Sequence, residues 1–328
     1  MPSSAFAPPA FADVLAAAAR IAPHAHATPV LRMRSLDALA GCALHFKAEH
    51  LQRGGAFKFR GACNAVWSLD PAQATPGVVT HSSGNHGAAL ALAAGTRGIA
   101  CHVVVPENAV ATKLAAITAS GATLHRCEAT LAAREAACAA VQQRTGATLV
   151  HPYADARVIA GQGTAALELL NAGIGLDALV VPVGGGGLGA GTAIAIAGVS
   201  PSTRLFLAEP AGAADTAASL ARGARVTDIV PETVCDGLRA TLGAPNFDIL
   251  RAAGAEAITV DDAETLAAMR LLWQRGKQLI EPSSATALAA VLQQRERFAG
   301  LRVGIVISGG NVDPHALYEA SALLGTGA

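Results

Sequence analysis

The stretch VVPVGGGGLGAG, Val180–Gly191, runs from a valine-rich segment into four consecutive glycines and then into small residues that can carry a helix. A short run that is apolar on both faces is the pattern of a strand in a parallel sheet covered by helices. The glycines mark the turn at its end. The wider segment from 178 to 203 holds 26 residues without a charge, long enough for a membrane span. Its glycine turn breaks that length, so the expectation is a soluble, buried strand followed by a helix.

Working outward, the same alternation covers most of the chain. Strand candidates are ALHFKA, GVVTHS, CHVVVP, ATLHRC, ALVVPV, RLFLAE, EAITV and RVGIVIS. Helical stretches are expected at 11–21, 85–94, 129–144, 158–170, 262–275 and 284–295. Strands alternating with helices predict an α/β fold of doubly wound parallel sheets. No repeat or low-complexity linker marks a domain boundary.

The bulk composition narrows the partners. At 328 residues the chain is long enough for two domains. With 52% hydrophobic and 15% charged residues, part of its surface is expected to be covered by a second copy, as a homodimer. Its zero net charge supplies no field for nucleic acid or an anionic membrane. Cysteines 42, 63, 101, 127, 138 and 235 lack metal or redox spacing and read as reduced thiols. The N-terminal MPSSAFAPPAFADV lacks a basic region before an apolar one, which makes the cytoplasm the expected location.

In doubly wound sheets, ligands collect beyond the carboxyl ends of strands. Four glycine-bearing loops follow strand candidates: SSGNHG at 82–87, GGGGLGAG at 184–191, EPAGAAD at 209–215 and SGGN at 308–311. The glycine run offers bare backbone N–H groups at a helix start, a seat for phosphate. Its spacing fits neither the dinucleotide nor the P-loop fingerprint. Upstream, GGAFKFRGA at 54–62 sets Lys58 between two phenylalanines. A snorkelling helix lysine is the plain reading. A cofactor that needs both a lysine amine and a phosphate seat is pyridoxal phosphate, whose aldehyde forms a Schiff base with lysine.

At this point the chain resembles the fold type II pyridoxal-phosphate enzymes, the tryptophan synthase β-like fold, in the serine racemase and serine/threonine dehydratase branch. The motifs are FKFRGA, SSGNHG, HPY followed by VIAGQGT, VGGGGL, AEP, DGL, EPSSA and ISGGN, in order along nearly the whole chain. The resemblance implies a discontinuous large cofactor-binding domain, 1–75 and 154–328, and a small mobile domain, 76–153, that closes on substrate. It implies Lys58 as the Schiff-base lysine and proton shuttle. Asn85 would bind the ring hydroxyl, and Phe57 and Gly237 would flank the ring. Gly184, Gly185, Gly186, Gly187 and the Leu188 amide would hold the phosphate, and Ser308 would face the pyridine nitrogen. A neutral serine there favours chemistry that passes carbanion charge on quickly, such as expelling a β-hydroxyl.

The same resemblance implies that Ser82, Ser83, Asn85 and His86 grip the substrate carboxylate, although serine and asparagine also suit a helix cap. A hydroxyl at Ser83 permits exchange of the α-proton from the face opposite lysine, which racemisation needs. Arg134 would reach the substrate side chain or a dicarboxylate, with a solvated helix arginine as the alternative, and Tyr153 would line the same pocket. Glu209, Ala213 and Asp215 match a site for Mg²⁺ or Ca²⁺ made of oxygen ligands. Ala240 departs from the mammalian racemase pattern, which has serine there.

The implied activity is dehydration and deamination of serine, threonine or 3-hydroxyaspartate to a 2-keto acid and ammonia. The alternative within the class is a serine or aspartate racemase with elimination as a side reaction. A nucleotide-binding regulatory protein would keep the glycine loop without needing Lys58, and a nicotinamide enzyme would need different glycine spacing. The chain ends about where a catalytic domain of this kind ends, so no regulatory extension is expected.

Overall fold

The computed structural model describes residues 8–109 and 111–313; part of the N-terminal segment read above lies outside them. The strands form two sheets. Six strands lie in the order Val30–Leu31, Ala43–Ala48, Arg302–Ile307, Ala178–Pro182, Arg204–Pro210, Glu256–Val260. Four lie in the order Thr123–Cys127, Cys101–Pro106, Val78–Thr80, Thr148–Leu149. Pairing is parallel throughout except where Val30–Leu31 lies antiparallel to Ala43–Ala48. The α/β expectation holds, and all eight strand candidates are strands.

Alternation along the central strands explains how the larger sheet is covered. Val303, Ile305 and Ile307, with Ala178 and Val180, face one core that includes Leu288 and Phe298. Val306, Leu179 and Val181 face the opposite core, with Leu167, Leu169 and Ile196. Period-two side chains therefore bury both faces of one sheet, as the valine-rich strands predicted. The uncharged segment resolves into the strand Ala178–Pro182 and the helix Gly187–Val199. Among the described residues no helix is long and apolar enough to cross a membrane.

The helix Ala156–Leu170 packs directly on Gly187–Val199. A Cβ on Gly163 would lie 2.7 Å from the Gly191 carbonyl oxygen, and one on Gly191 would lie 2.4 Å from that of Ile159. Those contacts admit only glycine, so VIAGQGT works as a helix-crossing motif.

The helix Lys58–Trp67 carries a fully buried Arg60. Its guanidinium donates to Glu49 at 2.7 and 2.8 Å and to Glu168 at 2.6 and 2.8 Å. Lys47 donates to Glu168 at 2.5 Å, completing a cluster of two cations and two anions beneath that helix. Burying such charges is tolerable only when all are paired and hydrogen-bonded.

Candidate active site

Each sheet reverses its winding once, and the two reversals define the site. In the larger sheet Arg302–Ile307 returns to lie on the far side of Ala178–Pro182. The loops beyond these strands begin at Val183 and Ser308. In the smaller sheet Thr148–Leu149 returns beside Val78–Thr80, and the loops beyond them hold His81–Asn85 and Val150–Tyr153. Ligands gather where strand order reverses. Contacts between the two sets of loops bring both crevices together.

Lys58 begins its helix, with the amine donating to the Pro152 carbonyl at 3.1 Å. Its Nζ lies 5.1 Å from the centre of the Phe57 ring. Burial pulls the amine down to about 8, against the opposing field of Glu281. A half-buried lysine with a depressed pKa supplies the neutral amine that attacks an aldehyde. The plain reading of a snorkelling surface lysine does not hold.

The glycine loop is shaped by its neighbours. Gly186 has φ of 88°, in the left-handed region that favours glycine. A Cβ on Gly185 would lie 2.4 Å from Tyr153 Cγ. The Gly185 carbonyl accepts from Asn246 Nδ2 at 2.6 Å and from the Gly243 amide at 3.1 Å. Because the peptide is trans and planar, the Gly186 N–H points the opposite way. With the amides of Gly187 and Leu188 it heads a helix, where N–H groups have no intrahelical acceptor. These features fit an anionic phosphate.

Around this loop the polar groups are tightly fixed. Asn85 Nδ2 lies 3.0 and 3.1 Å from the two oxygens of Glu281. Asn311 Nδ2 donates to Asn85 Oδ1 at 3.0 Å. The Gly237 amide donates to Ser283 Oγ at 3.1 Å, and Ser308 Oγ lies 3.0 Å from Ser284 Oγ. Asn85 and Ser308 are therefore joined through Glu281 and Ser284 of the EPSSA motif, and the charge of Glu281 also acts on Lys58.

Ser82 and Ser83 lie just before the helix Asn85–Arg97, whose cap residue is Gly84 with no side-chain cap bond. A capping role for the serines is thus not what the loop displays. His86 is buried, with Nε2 3.4 Å from the Val150 oxygen and Nδ1 lacking any partner. Burial first, then the Lys58 charge, lowers it well below the usual histidine range. Arg134 is half-buried on the helix Leu131–Thr145 and donates to the Thr130 carbonyl at 3.4 Å. Its positive field also reaches His81 and Tyr153, so it stands toward that side of the site.

Sequence reading missed three participants. His81 and His151 pack edge to face at 5.1 Å, and His151 meets Tyr153 at 4.6 Å. Burial brings His151 down to about 4 and also lowers His81, so at neutral pH these rings are uncharged. Asn246 is the third: it holds both the Gly185 and Tyr153 carbonyls. The signal for His81 and His151 was their place just after strands; Asn246 carried none.

Glu209 and Asp215 lie elsewhere, Glu209 near the end of the strand Arg204–Pro210 and Asp215 at the start of the helix Asp215–Arg222. Both are buried. Glu209 accepts from the Thr216 and Ala217 amides, each at 2.8 Å, and Asp215 from the Leu242 amide at 2.7 Å. Burial, aided by Asp215, pushes Glu209 up to about 7. Among the described residues no group of three or more His, Cys, Asp or Glu side chains could hold a metal ion, so a hard cation here would rest on these two carboxylates and backbone oxygen.

Comparison with known proteins agrees with this geometry. The profile of the family described as pyridoxal-phosphate dependent enzyme matches residues 21–309. The chain is 48% identical over 305 residues to a serine racemase of Dictyostelium discoideum, covering 92% of this chain and 94% of that protein. It is 46% identical to a beta-hydroxyaspartate dehydratase of Paracoccus denitrificans, covering 93% of this chain and 97% of that protein. Among solved structures, maize serine racemase superposes with a TM-score of 0.93 at 41% identity, over 97% of this chain and 98% of that one.

Proposed function

The chain belongs to the pyridoxal-phosphate dependent enzyme family, and from that premise we propose that it dehydrates and deaminates a hydroxy amino acid to a 2-keto acid and ammonia. Candidate substrates are serine, threonine and 3-hydroxyaspartate. The observation that carries the reading is the Lys58 amine, held at 3.1 Å by Pro152 where the two strand-order reversals face each other.

When bound, pyridoxal phosphate supplies an electron sink for the substrate α-carbon. Lys58 would hold its aldehyde and, once the amino acid takes that place, receive the α-proton on Nζ. The amides of Gly184, Gly185, Gly186, Gly187 and Leu188 would hold its phosphate. Phe57 and Gly237 would flank the ring, Asn85 would donate to its hydroxyl and Ser308 would face its nitrogen. Ser82, Ser83, Asn85 and His86 bind the substrate carboxylate, while Arg134 and Tyr153 face its side chain. Residues 76–153 act as the small domain that closes on substrate, against a larger domain of 1–75 and 154–328.

Racemisation is the second reading, and the placement of Ser83 in the loop ahead of Asn85 favours it. Mg²⁺ or Ca²⁺ at Glu209, Ala213 and Asp215 would balance their buried charge away from the chemistry. The low charge content supports a homodimer, the neutral balance supports an enzyme without nucleic-acid or membrane partners, and the N-terminal composition supports a cytoplasmic location.

The test is incubation of the cofactor-loaded protein with L-serine, D-serine, L-threonine and the isomers of 3-hydroxyaspartate, with and without Mg²⁺, reading keto acid and chirality. Keto acid from at least one of them supports elimination. Inversion without keto acid makes the enzyme a racemase, and silence with every substrate overturns both readings.

A further inference from the structure

Four groups around Asn85 form a chain whose hydrogen-bond directions are determined. At one end stands the Gly54 carbonyl, which can only accept, and Asn311 Nδ2 lies 2.8 Å from it. That contact identifies the nitrogen end of the Asn311 amide, and the same nitrogen donates to Asn85 Oδ1 at 3.0 Å. At the other end stands the Glu281 carboxylate, which when ionised also only accepts. Asn85 Nδ2 lies 3.0 and 3.1 Å from its two oxygens. Two acceptor-only ends thus agree on a single orientation for two amides whose nitrogen and oxygen are otherwise interchangeable in shape.

Of the two anchors, Glu281 is the buried one and Asn311 the exposed one. The Glu281 amide donates to the Gly309 carbonyl at 3.1 Å, and the residue precedes the proline-started helix Pro282–Gln293. Its negative field also reaches Lys58. Asn85 comes from the loops of the four-stranded sheet, whereas Glu281 and Asn311 come from those of the six-stranded one. The chain therefore crosses the cleft.

We propose that Glu281 and Asn311 are positioning residues that lock the Asn85 amide so that it presents N–H, never C=O, to the ring oxygen of the cofactor. This inference rests on the reading of Lys58 and Asn85 given above. One Asn85 N–H is shared by the Glu281 oxygens and the second remains for the cofactor. A donor at the ring oxygen stabilises its anionic form. A flipped amide would place a carbonyl oxygen against that oxygen and favour the neutral, protonated form. Glu281 thus acts on the cofactor's electronics through Asn85.

The test uses the cofactor-loaded enzyme and reads the ratio of the visible band of the ring-oxygen anion to the near-ultraviolet band of its neutral form. Glu281→Ala is expected to lower that ratio about tenfold, the effect of one charge-assisted hydrogen bond. Glu281→Asp, which remains acceptor-only, should recover most of it, and Asn311→Ala should move it in the same direction. Added to Asn85→Ala, the Glu281→Ala change should have no further effect. An unchanged ratio in Glu281→Ala overturns the proposal, as does an equal change with and without Asn85. If Glu281→Ala does not fold, an unchanged ratio in Asn311→Ala does the same. Failure of the underlying reading looks different: the unaltered protein would then show neither band, and borohydride would fix no cofactor to it.

Discussion

The Lys58 amine donates to the Pro152 carbonyl across 3.1 Å and 94 residues of chain. The contact ties the helix that starts at Lys58 to the loop leaving the smaller sheet, and it holds the amine where burial brings its pKa to about 8. Only the neutral amine attacks an aldehyde. Capture of pyridoxal phosphate by the cofactor-free protein should therefore rise about tenfold per pH unit below 8 and level off above it. Stopped-flow absorbance across pH 6 to 10 checks this. The linkage has a matching sign: the folded lysine holds fewer protons than the unfolded one between about 8 and 10.5, so this group's contribution makes the apoprotein more stable as pH rises through that window.

Gly185 and Tyr153 are mutually fitted. In Gly185→Ala the new methyl would sit 2.4 Å from Tyr153 Cγ, an overpacking worth about 1–3 kcal/mol. Cofactor affinity and melting temperature should both fall. Adding Tyr153→Ala should return part of each loss, whereas equal losses in the single and double variants would show that the ring does not shape the loop.

Ser83→Ala separates the two activities. Racemisation should drop by about 100-fold or more, as expected for losing one of two acid–base groups, with elimination retained within about tenfold. Parallel assays of D-serine and pyruvate formed from L-serine measure the split, and equal loss of both would show that Ser83 only binds substrate and moves no proton.

Glu209 and Asp215 predict cation binding. Mg²⁺ or Ca²⁺ at 100 times its dissociation constant should stabilise the protein by about 2.7 kcal/mol, visible as a rise in melting temperature. Glu209→Gln should abolish that rise, and a rise that survives the substitution places the ion elsewhere.

The buried charge cluster predicts a stability effect without a chemical one. Arg60→Leu leaves Glu49 and Glu168 without their guanidinium partner and should cost about 3–5 kcal/mol in urea unfolding of the apoprotein. A loss below about 1 kcal/mol would show that Lys47 alone compensates both carboxylates.

Much of this architecture was legible because buried parallel strands write themselves as apolar runs; ALVVPV and RVGIVIS needed no context. Strands of two residues, Val30–Leu31 and Thr148–Leu149, carry too little pattern to be seen, yet the second creates the winding reversal that aims His151 and Tyr153. Site loops were legible by their glycines and amides. The partners that orient them were not, since Asn85 meets Glu281 across 196 residues and no local periodicity reports such a contact. Arg60 lay inside the very motif that identified Lys58, but its burial among Glu49 and Glu168 is a tertiary fact.

The central claim is tested most directly by borohydride reduction of the cofactor-loaded protein followed by peptide mass mapping. The account predicts a pyridoxyl-phosphate adduct on Lys58, absent from Lys58→Ala. An adduct on another lysine, or none on a protein that still turns over a hydroxy amino acid, would contradict it.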